Sequence, residues 1–69
     1  MPEGPAFYLY QDRRNEWRWA LVASNREIVG DSGEGYTTRP ECIRAVDRVK
    51  QFLVNPSLHL HEETPPGYR

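Results

Sequence analysis

An arginine between two tryptophans is the feature of this sequence best suited to binding chemistry. Trp17, Arg18 and Trp19 are consecutive, and aromatic side chains with an arginine on a sheet can stack on nucleobases or another planar ligand. The candidate binding surface comprises Trp17, Arg18, Trp19, Glu34 and Tyr36. A second interpretation is structural, because Trp17 and Trp19 alternate with Leu21 as core side chains of a strand do. Packing in a core or at a dimer interface is favoured over ligand stacking.

Arg18 would point to the opposite face of the same strand, where Asp31 or Glu34 is the expected ion-pair partner. Gly33 and Gly35 flank Glu34 ahead of a predicted helix, where converging backbone N–H groups can hold an anion. Glu34 would place a negative charge in such a cradle, and no lysine follows as in a phosphate-binding loop. The glycines are better explained by the backbone angles of a turn.

Histidine and cysteine offer the candidates for metal or nucleophilic chemistry. His59 and His61 would point the same way from a strand, but a stable zinc site needs three or four ligands. The remaining candidates are Cys42, Glu62 and Glu63, so no metal site is expected. Cys42 falls on the apolar face of the predicted helix, which favours a packed thiol over a nucleophile. Catalytic pairs, triads and dinucleotide loops are missing, so neither a catalytic residue nor a cofactor is expected.

Three short strands, at residues 6–11, 17–23 and 28–32, are predicted to position these side chains. Their short polar connections indicate antiparallel pairing in a meander. Residues 57–61, in which leucines alternate with histidines, are a candidate fourth strand. Whether that strand pairs within the chain or with a partner is left open.

One amphipathic helix is predicted after the strands. Thr38 and Glu41 have the spacing of a capping box, and Pro40 falls in the first turn. The apolar residues recur at helical spacing on about half of the helical wheel: Cys42, Ile43, Ala45, Val46, Val49, Phe52 and Leu53. Asn55-Pro56 would end the helix. The expected fold is therefore α+β, a three- to four-stranded antiparallel sheet packed on one helix.

The length of 69 residues allows one small domain. It is placed at residues 6–61, between a flexible arm at 1–5 and a disordered tail at 62–69. The net charge of −1 does not favour nucleic-acid binding. Without a long apolar run or a second cysteine, the protein is expected to be cytoplasmic and not membrane-bound.

Self-association is the expected source of additional stability for so small a core. One helix covers only one face of a sheet. The other face would carry four apolar or aromatic side chains, Tyr8, Tyr10, Ala20 and Val22. Monomers of this size seldom leave such a patch bare, so a second copy is expected to cover it.

Several strings in the chain together resemble the YegP-like family of small bacterial and archaeal proteins of unknown function. They are Phe7-x-x-Tyr10-x-Asp12, Trp17-Arg18-Trp19-x-Leu21-x-Ala23-x-Asn25, Ile28-Val29, Ser32-Gly33-Glu34-Gly35-Tyr36 and Val49-Lys50. The resemblance covers roughly residues 6–52. It implies an antiparallel sheet backed by a helix, and homodimers among single-repeat members that imitate the tandem repeats of longer ones. It implies no activity.

The chain departs from the family at two turn positions, Asn15 and Arg26, where the family usually has glycine. Arginine adopts a positive φ poorly, so the second hairpin is expected to use a different turn type or a longer loop.

The expected function is that of a non-catalytic homodimeric module with an interaction or structural role. The alternative is small-ligand or nucleic-acid binding through the aromatic and arginine surface. The expected partner is a second copy of the chain, and no particular small-molecule ligand is indicated.

Overall fold

The computed structural model describes residues 4–53 and 58–67. The elements, in chain order, are β1 (Ala6–Gln11), β2 (Trp17–Val22), β3 (Ile28–Asp31), α1 (Arg39–Lys50) and β4 (His59–His61). They form one four-stranded sheet in the order β3-β2-β1-β4, with α1 against β1 and β2. The fold is thus α+β, with one helix on one sheet. The predicted helix stop at Asn55-Pro56 lies outside the described residues.

The sheet is mixed, so the prediction of a wholly antiparallel sheet is wrong. β1 pairs antiparallel with β2, and β2 pairs antiparallel with β3. β4 pairs in parallel with β1, with Leu60 opposite Phe7. The reason is topological: β1 and β3 both run opposite to β2, and α1 carries the chain from β3 across the sheet into a strand of the same direction.

The core lies between α1 and the sheet face that carries Phe7 and Leu9. Phe7, Leu9, Cys42 and Val46 are its fully buried large side chains. Lys50 closes the side of this core, with its Nζ 5.9 Å from the centre of the Phe7 ring. The predicted helical stripe is thereby confirmed at its centre, where Cys42, Ala45 and Val46 are buried.

Phe52 was predicted on that stripe, and this prediction is wrong. The side chain is 87% exposed. The α-helix ends at Lys50, and the N–H groups of Gln51, Phe52 and Leu53 bond to carbonyls three residues back. Phe52 therefore lies beyond the end of α1, where the period of 3.6 residues no longer assigns a side chain to the buried face.

The four side chains expected to be bare on the opposite sheet face are buried within a single chain. Tyr8, Tyr10, Ala20 and Val22 are each at most 8% exposed, so the expected bare patch is absent. β1 and β2 are the two inner strands, so Tyr8 and Ala20 each have a residue of a neighbouring strand on both sides. The His61 ring, for example, lies 5.6 Å from that of Tyr8.

The C-terminal stretch makes contacts with the domain. Arg39 donates to Glu62 Oε1 through Nε at 2.8 Å, and Pro65 is buried. The predicted domain limits of 6–61 and the predicted disorder of the tail as a whole stay predictions. No helix in the described ranges is long and apolar enough to cross a membrane.

The two hairpin turns have the same geometry, contrary to the expectation of a different second turn. In the first, the Asp12 N–H bonds to the Glu16 carbonyl and the Asn15 N–H to the Asp12 carbonyl. In the second, the Ala23 N–H bonds to the Glu27 carbonyl and the Arg26 N–H to the Ala23 carbonyl. This pattern places one residue at positive φ in each turn.

Those residues are Asn15 at φ 64° and Arg26 at φ 71°. The Asn25 side chain holds the second turn in place, because its Oδ1 accepts from the Glu27 N–H and its Nδ2 donates to Glu27 Oε1, both at 3.1 Å. Arginine therefore occupies a conformation that side chains with a Cβ disfavour.

We expect Arg26→Gly to be more stable than Arg26→Ala by about 1 kcal/mol. Both variants remove the side chain, so their difference isolates the backbone conformation. Urea unfolding followed by circular dichroism measures it. The matched control is Arg44→Gly against Arg44→Ala in α1, where the order reverses because glycine is the poorer helix former. An alanine variant as stable as the glycine variant at position 26 would contradict the argument.

Candidate functional site

The predicted binding surface is divided between the two faces of the sheet. Trp17 and Trp19 lie on the helix side, where the Trp19 ring meets the Phe7 ring edge-on with centres 5.7 Å apart. Arg18 lies opposite Tyr10 on the other face. One ligand therefore cannot stack on a tryptophan and contact Arg18 from the same side of the sheet.

Arg18 is held by Asp12, not by the predicted Asp31 or Glu34. Arg18 Nε lies 2.5 Å from Asp12 Oδ2, and the side chains are 28% and 10% exposed. The hydrogen bond from Arg18 is the main cause that lowers the pKa of Asp12, and the same bond raises the pKa of Arg18. Asp12 Oδ1 accepts from the N–H groups of Arg14 at 2.8 Å and Glu16 at 3.1 Å. Asp12 therefore fixes both the turn and the direction of Arg18.

Glu34 and Tyr36 belong to a loop that leaves β2 and returns to it. Ser32 N–H bonds to the Trp19 carbonyl at 2.9 Å, and Tyr36 exchanges two 2.8 Å backbone bonds with Trp17. The loop thus advances four residues, from Ser32 to Tyr36, while β2 advances two, from Trp19 to Trp17. The loop therefore bulges outward. Glu34 is exposed at its tip.

The two glycines of this loop have separate structural reasons. Gly33 has φ 71°, and its N–H bonds to Asp31 Oδ1 at 3.0 Å. Gly35 passes so close to Glu16 that a Cβ at position 35 would lie 2.6 Å from Glu16 Cβ. These observations support the interpretation of the glycines as turn residues rather than as an anion cradle.

A groove on the sheet face opposite α1 is the site that sequence reasoning missed. It encloses about 480 Å³ and is lined by Tyr10, Asp12, Arg13, Arg14, Arg18, Ala20, Ile28 and Asp31. We call it the arginine groove. Arg13 and Arg14 come from the first turn, Arg18 and Ala20 from β2, and Asp31 from β3. The adjacent arginines of the turn and the period-two spacing of Arg18 and Ala20 are the signals that could have revealed it.

A comparison with models of protein families shows to which family this chain belongs. Residues 12–51 match the model of a domain of unknown function, DUF1508. The chain belongs to the DUF1508 family. The resemblance to the YegP-like family inferred from the sequence is thereby confirmed.

Curated relatives of this DUF1508 chain carry no functional name. It is 48% identical over 44 residues to the UPF0339 protein NMB1088 of Neisseria meningitidis serogroup B, covering 64% of this chain and 77% of the relative. It is 38% identical over 45 residues to the UPF0339 protein Atu0232 of Agrobacterium fabrum, covering 65% of this chain and 71% of the relative. No solved structure shows a significant match.

The two histidines lie beyond the segment matched to DUF1508. As predicted, His59 and His61 point the same way from β4, with ring centres 5.9 Å apart. His61 Nε2 is buried without a hydrogen-bond partner among the described residues. Residues 4–53 and 58–67 contain no group of three His, Cys, Asp or Glu that could hold a metal ion.

Cys42 is packed in the core on the buried face of α1. It is fully buried, and this burial raises the pKa of its thiol to about 11. Burial thus favours the protonated thiol at neutral pH, as expected of a packed side chain.

Proposed function

We propose that this DUF1508 domain is a non-catalytic interaction module of the cytoplasm and that it acts as a homodimer. The observation that carries the proposal is the outer edge of β3. β3 is the terminal strand of the sheet, and it presents Ile28 at 41% and Val29 at 62% exposure. An exposed apolar edge strand is a template for pairing with another strand.

A second copy of the chain is the proposed occupant of this edge. Pairing of two β3 strands about a twofold axis is antiparallel and joins the two sheets into one. Ile28, Val29 and Gly30 carry no charge, so the centre of such an interface contains no like-charge repulsion. The interface then lies at the strand edge, and not on the sheet face proposed from the sequence, since the apolar side chains expected to be bare on that face are buried within one chain.

The absence of catalysis is supported by the engagement of the reactive side chains. Cys42 is buried and protonated. Arg18 and Asp12 are bonded to each other. Neither Cys42 nor the pair of Arg18 and Asp12 therefore offers a free nucleophile with a neighbouring base.

We expect sedimentation equilibrium at micromolar concentration to give twice the 8.1 kDa mass of one chain. Val29→Lys should shift the protein to monomers, because edge lysines oppose strand pairing. Phe52→Lys is the matched control, since it removes a more exposed apolar side chain away from β3 and should leave the dimer intact. A parent protein that stays at 8.1 kDa as its concentration rises overturns the proposal, as does a monomer produced only by Phe52→Lys.

Cysteine cross-linking locates the interface independently. Cysteine is placed in turn at positions 28, 29 and 30, and a twofold axis through β3 brings one of these residues opposite its own copy. That variant should oxidise to a disulfide-linked dimer, because paired strands bring Cα atoms within disulfide range. Cys42 does not interfere, being buried and protonated. If all three variants form disulfide-linked dimers at the same slow rate, the β3 strands of two copies do not pair in a defined register.

A further inference from the structure

We propose that the arginine groove binds a small organic oxyanion, a carboxylate or phosphate monoester carried on a planar apolar group. This goes beyond the homodimer proposal and does not depend on it. The volume of about 480 Å³ falls within the range of small-molecule sites. The ligand class follows from the lining of the groove, the fixed direction of Arg18 and the balance of charges around it.

Ala20 is the smallest of the side chains that line the groove. Ala20 is almost fully buried, and its methyl group lies between larger neighbours on the same sheet face. Its neighbour on β1 is Tyr8, and its neighbour on β3 is Asp31. Ile28, at 41% exposure, is the apolar wall that a ligand can reach, whereas Tyr10 is only 8% exposed. This combination of a short side chain and an apolar wall suits a flat, apolar body.

Arg18 supplies an oriented cation at one end of the groove. Its Nε edge is bonded to Asp12, which fixes the plane of the guanidinium group. Its terminal nitrogens have no hydrogen-bond partner among residues 4–53 and 58–67. A guanidinium group fixed in this way is prepared for a carboxylate or phosphate, which it binds through two parallel hydrogen bonds.

The side chains that line the groove have a net charge of +1, with three arginines against Asp12 and Asp31, although the whole chain has a net charge of −1 and Glu16 adds a negative charge near Arg18. Both oxygens of Asp12 are occupied, Oδ2 by Arg18 and Oδ1 by two backbone N–H groups. Asp31 already accepts from the Gly33 N–H. Arg13 and Arg14 are exposed on the turn, and their guanidinium groups form no ion pair with a described residue. The groove therefore attracts an anion.

A small ligand fits these observations better than a nucleic acid. Strong binding of a polyanion requires a row of phosphate contacts. Here the cationic surface is confined to one end of the groove, and Ile28 and the carboxylate of Asp31 line the β3 side.

The test is a titration of ¹⁵N-labelled protein with phenyl phosphate and with benzoate, followed by NMR. The bond to Asp12 makes the Arg18 Nε–H signal a direct reporter of the groove. We expect saturable shifts at this signal and at the Ala20 and Asp31 amides, with a dissociation constant on the order of 1 mM for a ligand of this size. The tighter of the two probes identifies phosphate or carboxylate as the group recognised. Inorganic phosphate alone should bind more weakly, because it leaves the apolar wall uncovered.

A pair of matched double variants distinguishes binding in the groove from a general attraction of the anionic probe to any exposed arginine. Arg13→Glu with Arg14→Glu reverses two exposed charges on the turn and should weaken binding at least tenfold. Arg44→Glu with Arg48→Glu makes the same change on the exposed face of α1 and should have no effect. Shifts that rise linearly without saturation, or equal weakening by both double variants, would overturn the proposal.

Discussion

Val46→Asp is expected to abolish the cooperative unfolding transition of the domain. Val46 is completely buried at the centre of α1, and no basic group is buried in the described core to pair with a new carboxylate. An unpaired buried charge costs roughly 3 to 5 kcal/mol. The whole stability of so short a chain is on the order of 5 kcal/mol. Thermal unfolding followed by circular dichroism measures the loss.

The control for this variant places the same carboxylate on the other side of α1. Arg44 is exposed, so Arg44→Asp should change the stability by less than about 1 kcal/mol. Val46→Thr tests the polarity of the site in a side chain of the same shape, and it should lie between the parent and Val46→Asp. A cooperative melt of Val46→Asp within a few degrees of the parent would show that the buried face of α1 is assigned wrongly.

The beginning of α1 was predictable because its determinants are local. Thr38 caps the helix, and its Oγ1 accepts from the Glu41 N–H at 3.3 Å. Glu41 Oε1 in turn accepts from the hydroxyls of Thr37 and Thr38 at 2.8 and 3.0 Å. These hydrogen bonds lower the pKa of Glu41, that from Thr37 most. Residues three or four apart determine this geometry, so a sequence pattern is sufficient to reveal it.

The covering of the second sheet face was not predictable from alternation. A period of two assigns residues to faces but does not tell how many strands flank them. Tyr8 is buried because β4 joins β1 on the edge opposite to β2, and that position is decided by the crossover through α1. The parallel direction of β4 follows from the same crossover. Both features depend on contacts between segments far apart in the chain.

The arginine groove was missed for a related reason. The sequence shows that Arg18 and Ala20 share a face, but the position of Asp31 beside Ala20 depends on the register between β2 and β3. That register shifts between Leu21 and Val22, and hydrophobic alternation alone does not reveal such an irregularity. The partner of Arg18 was also misassigned, because Asp12 is brought to it by the first hairpin turn.

Gly35→Ala is expected to destabilise the domain by at least about 2 kcal/mol, although Gly35 does not have a positive φ. The added Cβ would lie 2.6 Å from Glu16 Cβ, an atom that no side-chain rotation can move. Relief requires the loop to separate from β2, which strains the paired backbone bonds between Trp17 and Tyr36. Urea unfolding of the variant and parent measures the difference.

Two comparisons make the Gly35 prediction specific. Gly30→Ala is the control, because a Cβ at position 30 meets no atom within 4 Å, and this variant should equal the parent or exceed its stability by up to about 1 kcal/mol. In a Glu16→Gly background the obstructing Cβ is gone, so Gly35→Ala should lose most of its effect. Glu16→Ala retains that Cβ and should give no relief. A double-mutant cycle compares these backgrounds. If Gly35→Ala costs as much stability in the Glu16→Gly background as in the parent, the close contact with Glu16 is not the reason that position 35 needs glycine.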